Sequence, residues 1–339
     1  MRADHDDAAS ALLDGLDLDK LLKALVRGRA YDAALRDPPG RRAWSDSFPS
    51  SLSFQQLEER TDQLARLLTI NHAQPGATVA ILAPLGGEAI VAVLGALRAG
   101  LSPLMLPLHA SEDELLALIE TSDAVMALGT SRIGPFQPLI TLRNLAVRAF
   151  GTRFVGGFGL DVPDGIAPLD TLMASGGLHP LPERIARAEV QVVDPVSLAG
   201  PCRLSERDLL SAALDISRLL KPLSSSRIVT TLVGGDLAAL ASGPGMAMLT
   251  GVELLPLGLF SLGDLQACIA GGRNVHLVLP GNMEPAIAHS RLAGDPALAS
   301  LVFVHRAGDS RAAPAIDRPD LAIVDVDVRS AAQIEVSRR

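Results

Sequence analysis

Short apolar runs alternate with helical patterns along the first half of the chain. The first three strand-like runs are Thr78–Leu82, Ser102–Leu106 and Ala124–Leu128, and Thr152–Gly156 is a further predicted strand. Glu88–Arg98 lies between the first two and repeats its apolar residues at helical spacing. Ser111, followed three residues later by Glu114, has the pattern of a capping box and predicts the start of a further helix. This alternation predicts a mostly parallel sheet covered by helices, with the three strands side by side.

The same alternation resumes after residue 187. The predicted strands are 190–193, 227–233, 252–255, 275–279 and 300–304, and the predicted helices are 205–220, 236–250, 261–271 and 283–293. Residues 159–187 are rich in Gly and Pro and predict a connection between lobes. We therefore predict an α/β fold with two successive lobes, each a mostly parallel sheet flanked by helices. The predicted core residues are Val79, Ile81, Val93, Leu97, Leu104 and Leu277.

The chain divides into four predicted segments. Residues 1–40 form an N-terminal tail and helices, 41–180 the first lobe, 181–310 the second lobe, and 311–339 a C-terminal strand and tail. In the last segment, Leu321–Val328 alternates apolar and polar residues, which predicts a surface strand with Asp325 and Asp327 on its polar side. A disordered end is expected after it.

Composition narrows the function classes. Hydrophobic residues make up 48% of the 339 residues, which is typical of a globular core. The net charge of −8, with dispersed Lys and Arg, argues against a nucleic-acid partner. Leu237–Val252 carries no charge but is shorter than the roughly 20 residues of a membrane span and contains Pro244, so a kinked buried helix is expected and no membrane span.

Cysteine and histidine usage predicts no metal site and no disulfide framework. Cys202 and Cys268 are far apart, and the seven histidines form no pair at metal-ligand spacing. His276 lies inside an apolar run and is expected to be a hydrogen-bonded core histidine. The acidic N-terminus lacks the apolar core of a secretory signal, which favours a cytoplasmic protein.

Several segments, in a shared order, resemble the opening of the adenylate-forming (AMP-binding) superfamily, which includes acyl-CoA synthetases and peptide-synthetase adenylation domains. They are Ser53–Leu57, Pro75–Ala80, Leu97–Gly100 with Pro103 and Pro107-Leu108, Leu115–Leu128, Leu204–Leu209, Leu249–Val252 and Asn274–Pro280. The resemblance runs from residue 53 to about residue 306. It implies the fold of the first two subdomains of that superfamily's N-terminal domain, in a truncated and degenerate member.

The superfamily's phosphate loop, a Ser/Thr/Gly-rich segment ending in Pro-Lys, would fall within residues 191–205. Glycines there let backbone amides close on phosphate, hydroxyls add donors, and lysine supplies charge. The degenerate counterparts in this chain are Ser197, Gly200, Pro201, Arg203 and Ser205, with Cys202 in place of the lysine. The Tyr-Gly-x-Thr-Glu motif, the Thr-Gly-Asp strand and the lid lysine have no match, so the sequence predicts no catalytic residue and no metal ligand.

Three functions follow as hypotheses. The first is an acyl-CoA synthetase-like protein that has lost adenylation activity and binds or scaffolds an acyl ligand, a carrier protein or a full-length synthetase. The second is an acyl or aryl acid ligase, completed by a separate C-terminal chain, for which ATP and Mg²⁺ would be cofactors. The third is an unrelated α/β protein that binds a small ligand where its strand order reverses.

Overall fold

The computed structural model describes residues 15–47, 49–71, 74–175, 188–309 and 318–339, together with Leu13, Leu181 and Ile316. The strands of this part of the chain are Ala33–Arg36 (β1), Ser51–Ser53 (β2), Thr78–Leu82 (β3), Ser102–Met105 (β4), Ala124–Thr130 (β5), Phe154–Phe158 (β6), Ala167–Pro168 (β7), Glu189–Val192 (β8), Cys202–Ser205 (β9), Arg227–Thr230 (β10), Glu253–Pro256 (β11), Val275–Pro280 (β12), Leu298–His305 (β13), Ala322–Ser330 (β14) and Gln333–Arg338 (β15). The helices are Leu18–Arg29 (α1), Phe54–Ile70 (α2), Gly87–Arg98 (α3), Glu112–Thr121 (α4), Pro138–Arg148 (α5), Leu169–Ser175 (α6), Glu206–Leu220 (α7), Leu237–Leu240 (α8), Met246–Thr250 (α9), Leu262–Ala270 (α10) and Glu284–Ala288 (α11).

These strands form two sheets. The first sheet has the order β7-β6-β5-β3-β4-β8-β9 and is parallel except where β9 runs against β8. The second has the order β15-β14-β13-β12-β10-β11-β1-β2, with antiparallel pairs at both edges. Strand β3 lies between β4 and β5 and pairs in parallel with each, so the predicted adjacency of the three strands is confirmed, as is the α/β fold class.

The largest hydrophobic cluster lies between the two sheets. It includes Ile81 of the first sheet, Ile228 of the second, and apolar residues of α3 and α7. Two smaller clusters cover the outer faces of the sheets. All six predicted core residues are buried, and the predicted capping box of Ser111 and Glu114 begins α4.

The predicted boundaries at residues 40, 180 and 310 do not separate the two sheets. Strands β8 and β9, which follow residue 181, close one edge of the first sheet, and β1 and β2 complete the second sheet.

Helix α5 was not predicted, although Pro138 at its first turn is a helix-start signal. The predicted helix 283–293 is broken into α11 and a 3₁₀ turn at Arg291–Gly294. Of the predicted connection 159–187, residues 176–180 and 182–187 lie outside the described residues.

Two predictions for the C-terminal segment were wrong. Asp325 does not face solvent. Its side chain is 9% exposed, because it accepts hydrogen bonds from His305 Nε2 at 2.9 Å and from the guanidinium of Arg339. The end of the chain is ordered strand β15, which pairs with β14 and brings Arg339 to Glu284 as well.

The uncharged stretch predicted as a kinked buried helix is confirmed as buried and irregular. Helices α8 and α9 are joined by a π-helical turn, Ala241–Gly245, that contains Pro244. Proline lacks the N–H that an α-helical turn needs, and a π-turn accommodates that loss. Among the helices of the described residues, none is long and apolar enough to cross a membrane.

Candidate functional site

The carboxyl ends of strands from both sheets meet at one cleft of about 410 Å³, here called the strand-end cleft. Its wall residues are Leu106–His109, Pro195, Val196, Thr231–Gly234, Leu259, Pro280 and Arg306. Pro280 ends β12, and the others follow β4, β8, β10, β11 or β13. In α/β proteins, the crevice outside the carboxyl ends of parallel strands is the usual place for a ligand. This cleft is therefore the leading candidate site.

Backbone hydrogen bonds hold the two sheets together at this cleft. Val193 N donates to Gly235 O at 2.9 Å, and Leu85 N donates to Val233 O at 3.2 Å. Gly234 and Gly235 have φ of +95° and +109°, which side chains rarely adopt. The double glycine after β10 thus fixes the turn on which one wall of the cleft depends.

Two basic side chains line the cleft, and both are already engaged. His109 Nε2 lies 2.8 Å from Pro195 O, across the loop that follows β8. Arg306 donates from Nε and Nη2 to Asp236 Oδ2 at 2.9 and 2.6 Å. Asp236 is fully buried and also caps α8 through Ala239 N. Because Asp236 neutralises Arg306, the cleft has little positive charge left for an anion.

The segment predicted as a degenerate phosphate loop is the connection of the β8–β9 hairpin. In it, Asp194 Oδ1 accepts from Val196 N at 2.9 Å, and Asp194 Oδ2 accepts from the hydroxyl of Ser197 at 2.9 Å. Ala199 N donates to Ser197 Oγ at 3.4 Å. Donors that would face a phosphate in an open loop therefore face the loop's own carboxylate.

The predicted site residues do not converge. Gly200 packs near Thr121, Cys202 and Arg203 lie on strand β9, and Arg203 makes an exposed 3.5 Å ion pair with Glu189. Ser205 caps α7 in a capping box with Asp208. The segment reaches the strand-end cleft through Pro195 and Val196, so none of Ser197, Gly200, Pro201, Arg203 and Ser205 lines it.

Sequence reasoning missed Asp194, Asp236, Arg306 and His109 as parts of the site. A signal existed for each, since each follows the end of a predicted strand by a few residues, the position that carries ligands in parallel sheets. His276, in contrast, is confirmed as a buried histidine, with Nδ1 2.8 Å from Ser300 Oγ. Burial lowers the pKa of His276 to about 4.

Comparison with known proteins gives consistent findings. Residues 31–148 match the family model described as "AMP-binding enzyme". The chain is 27% identical over 245 residues to a salicyl-AMP ligase / salicyl-S-ArCP synthetase of Mycobacterium tuberculosis, covering 64% of this chain and 43% of that protein. It is 26% identical over 299 residues to a salicylyl-CoA synthase / salicylate adenylyltransferase of a Streptomyces species, covering 79% and 50%. The chain spans about half the length of these curated relatives.

Solved structures agree on the fold. Apo MbtA of Mycobacterium smegmatis superposes with a TM-score of 0.75 at 19% identity, covering 95% of this chain and 58% of that one. The N-terminal domain of FACL13 from M. tuberculosis gives 0.75 at 16% identity, covering 91% and 75%. The resemblance to adenylate-forming enzymes is confirmed, and the interpretation as an unrelated α/β protein was wrong.

Proposed function

We propose that this chain is a binding or scaffolding protein that does not adenylate a substrate on its own. Residues 31–148 match the AMP-binding enzyme family model, and the fold is that of the adenylate-forming ligases. Its ligand is an acyl or aryl group held in the strand-end cleft. An acyl carrier protein or a full-length synthetase is the protein partner of this proposal. A cytoplasmic location stays a prediction.

The observation that carries the proposal is the closed loop at Asp194. Phosphate binding in such a loop depends on free backbone N–H groups and on a positive charge. Here the amide of Val196 and the hydroxyl of Ser197 donate to Asp194, which adds a negative charge. Arg203, the nearest basic residue to the expected lysine, lies on β9 and pairs with Glu189.

The lining of the cleft supports an apolar ligand. Leu106, Leu232, Val233 and Leu259 contribute side chains, and the charge of Arg306 is matched by buried Asp236. A triphosphate placed here would meet little compensating charge, while an acyl or aryl group would bury apolar surface at about 25 cal/mol per Å².

The alternative is an acyl or aryl acid ligase completed by a separate chain, with ATP and Mg²⁺ as cofactors. It is favoured by the family match and by the relatives, which are about twice as long as the region of similarity. For this function the loop at Asp194 would have to open when the second chain binds.

ATP–pyrophosphate exchange separates the two functions. We expect background exchange from the purified chain with fatty, aromatic and amino acids, and no effect of Arg203→Ala. Preorganised donors around a transferring phosphate are usually the largest catalytic contribution, and removal of one such donor lowers the rate by roughly 10²–10³. Robust exchange that depends on Arg203 would contradict the proposal.

Ligand binding is measured separately by calorimetry. Salicylate, the acid named in the two bacterial relatives, and decanoate are the first probes. We expect binding that is lost in Val233→Glu, because Val233 lines the cleft and is 43% exposed. Val147→Glu is the matched control, since Val147 is 75% exposed on α5, away from the cleft lining. Binding without exchange supports the proposal, and equal loss in both variants contradicts it.

A further inference from the structure

A second cleft, here called the polar cleft, lies beside the carboxyl end of β6 and the first turn of α3. Its volume is about 390 Å³, and Ser47, Arg60, Glu88, Gly159 and Asp170 are among its lining residues. None of these residues lines the strand-end cleft.

The floor of the polar cleft contains more buried carboxylates than buried guanidinium groups. Glu88 is 7% exposed and pairs through Oε2 with Arg41, which is itself 1% exposed. Arg41 also pairs with buried Asp37, so one guanidinium serves two carboxylates. Burial raises the pKa of Asp37, and the nearby charge of Glu88 raises it further while Arg41 opposes the rise. Among the described residues, no donor reaches Glu88 Oε1.

Two further acceptors lie on the wall of the same cleft. Asp170 Oδ2 accepts from Gly159 N at 3.0 Å, and Oδ1 accepts no hydrogen bond from any other described residue. Burial raises the pKa of Asp170, and the charge of Glu88 adds to that rise. Ser47 is 8% exposed, and its buried Oγ has no hydrogen-bond partner in the described part of the chain. Buried polar atoms are normally paired, so a lone hydroxyl in a cleft points to a ligand.

Glu88, Asp170 and Ser47 together match one chemical group. A primary ammonium has three N–H donors, no acceptor and one positive charge. The cleft offers three acceptors and an excess of negative charge, which matches the donors and the charge of an ammonium. The described residues contain no cluster of three or more His, Cys, Asp or Glu side chains placed to hold a metal ion.

Arg60 indicates whether the polar cleft would bind a simple amine or a zwitterion. It lines the cleft from α2 and makes no hydrogen bond or ion pair with another described residue, while its charge acts on Asp170. An unpaired guanidinium would repel a simple amine. It would instead bind a carboxylate, for which its planar donors are well suited.

We propose that the polar cleft binds a small zwitterion, with the primary ammonium held by Glu88, Asp170 and Ser47 and the carboxylate held by Arg60. An amino acid with its two charged groups at opposite ends has this chemistry. The proposal does not rest on the function proposed for the strand-end cleft, because the two clefts share no lining residue.

Calorimetric titration with ω-amino acids, from glycine to 6-aminohexanoate, tests the proposal. Alkylamines and alkanoates of the same lengths serve as ligand controls. We expect one zwitterion in the series to bind, with at least tenfold weaker binding of the amine and of the alkanoate. Equal binding of the amine, displacement by MgCl₂, or no binding by any zwitterion would overturn the proposal.

Substitutions of the lining residues test whether the zwitterion binds in the polar cleft. We expect Asp170→Asn and Arg60→Gln each to weaken binding of the zwitterion at least tenfold. Arg66→Gln on the same helix and Asp164→Asn on the surface are matched controls and should bind as the parent does. Ser47→Ala, which removes one unpaired hydroxyl, should weaken binding with the least risk to folding. Circular dichroism verifies each fold, and unchanged binding in all three cleft variants would overturn the proposal.

Discussion

The backbone N–H of Val196 donates a hydrogen bond of 2.9 Å to the carboxylate of Asp194, inside the loop that joins β8 to β9. The hydroxyl of Ser197 donates to the other carboxylate oxygen. Because these donors bind the loop's own carboxylate, the loop offers a phosphate neither free backbone amides nor positive charge. The contact thus stabilises the turn and, in the proposed function, keeps phosphate out.

Replacing Asp194 tests both roles. We expect Asp194→Ala to speed amide hydrogen exchange at Val196 about fivefold, since an exposed hydrogen bond is worth about 1 kcal/mol. ATP–pyrophosphate exchange should stay at background, because no lysine replaces the lost acid. Asp161→Ala, an acidic substitution at an exposed position after β6, is the control. Strong exchange activity in Asp194→Ala would show that this single carboxylate blocks a working phosphate loop.

The centre of the first sheet should be sensitive to truncation. Ile81 and Leu104 are fully buried on adjacent strands. We expect Ile81→Ala and Leu104→Ala each to lower the free energy of unfolding by ~2–5 kcal/mol, from lost burial and the cavity that remains. Denaturant unfolding measures this loss. Leu160→Ala is the control, since Leu160 is 67% exposed, and a similar cost there would refute the burial argument.

Arg339 anchors the last strand to the second sheet. Its guanidinium pairs with Asp325 and with Glu284, whose side chain is 1% exposed. The pKa of Asp325 is lowered although its burial opposes this, because Arg339 and His305 donate to the charged form. We expect Arg339→Ala to cost about 1–3 kcal/mol, the usual penalty for leaving a buried acceptor unpaired. Arg338→Ala, at the neighbouring exposed position, should cost little in the same unfolding assay.

The regular framework of this fold was predictable because it depends on local pattern. Short apolar runs marked β3, β4 and β5, and the pair Ser111 and Glu114 marked the start of α4. Such signals act over a few residues, and parallel crossover connections leave few topologies to choose from.

The sequence does not reveal which distant segments pair. Nothing in Leu35 indicates that its strand β1 lies beside Leu254 of β11, more than 200 residues later. Asp325 looked like a surface residue because its partners are remote from it in sequence. His305 lies on β13, and Arg339 follows β15. The candidate site depends on the same long-range pairing, which is why Asp236 and Arg306 were not predicted to meet.

His276 gives the second sheet a dependence on pH. It lies on central strand β12, is 2% exposed, and contacts Ser300 on the neighbouring strand. Burial lowers its pKa from the ordinary 6.5 to about 4, because the charged ring would lose its hydration. The unfolded chain therefore binds this proton more tightly than the folded chain does. The stability due to neutral His276 is complete above about pH 6.5 and is lost as the pH falls toward 4.

We expect the free energy of unfolding to fall by about 2 kcal/mol between pH 7.5 and pH 5 through this group alone, from the linkage of one proton to folding. His276→Gln should reduce that difference, because glutamine does not titrate, although the variant will be less stable at pH 7.5. His289→Gln, which removes an exposed histidine, is the control. Urea unfolding at the two pH values measures the difference. An unchanged pH dependence in His276→Gln would mean that other groups cause the acid sensitivity.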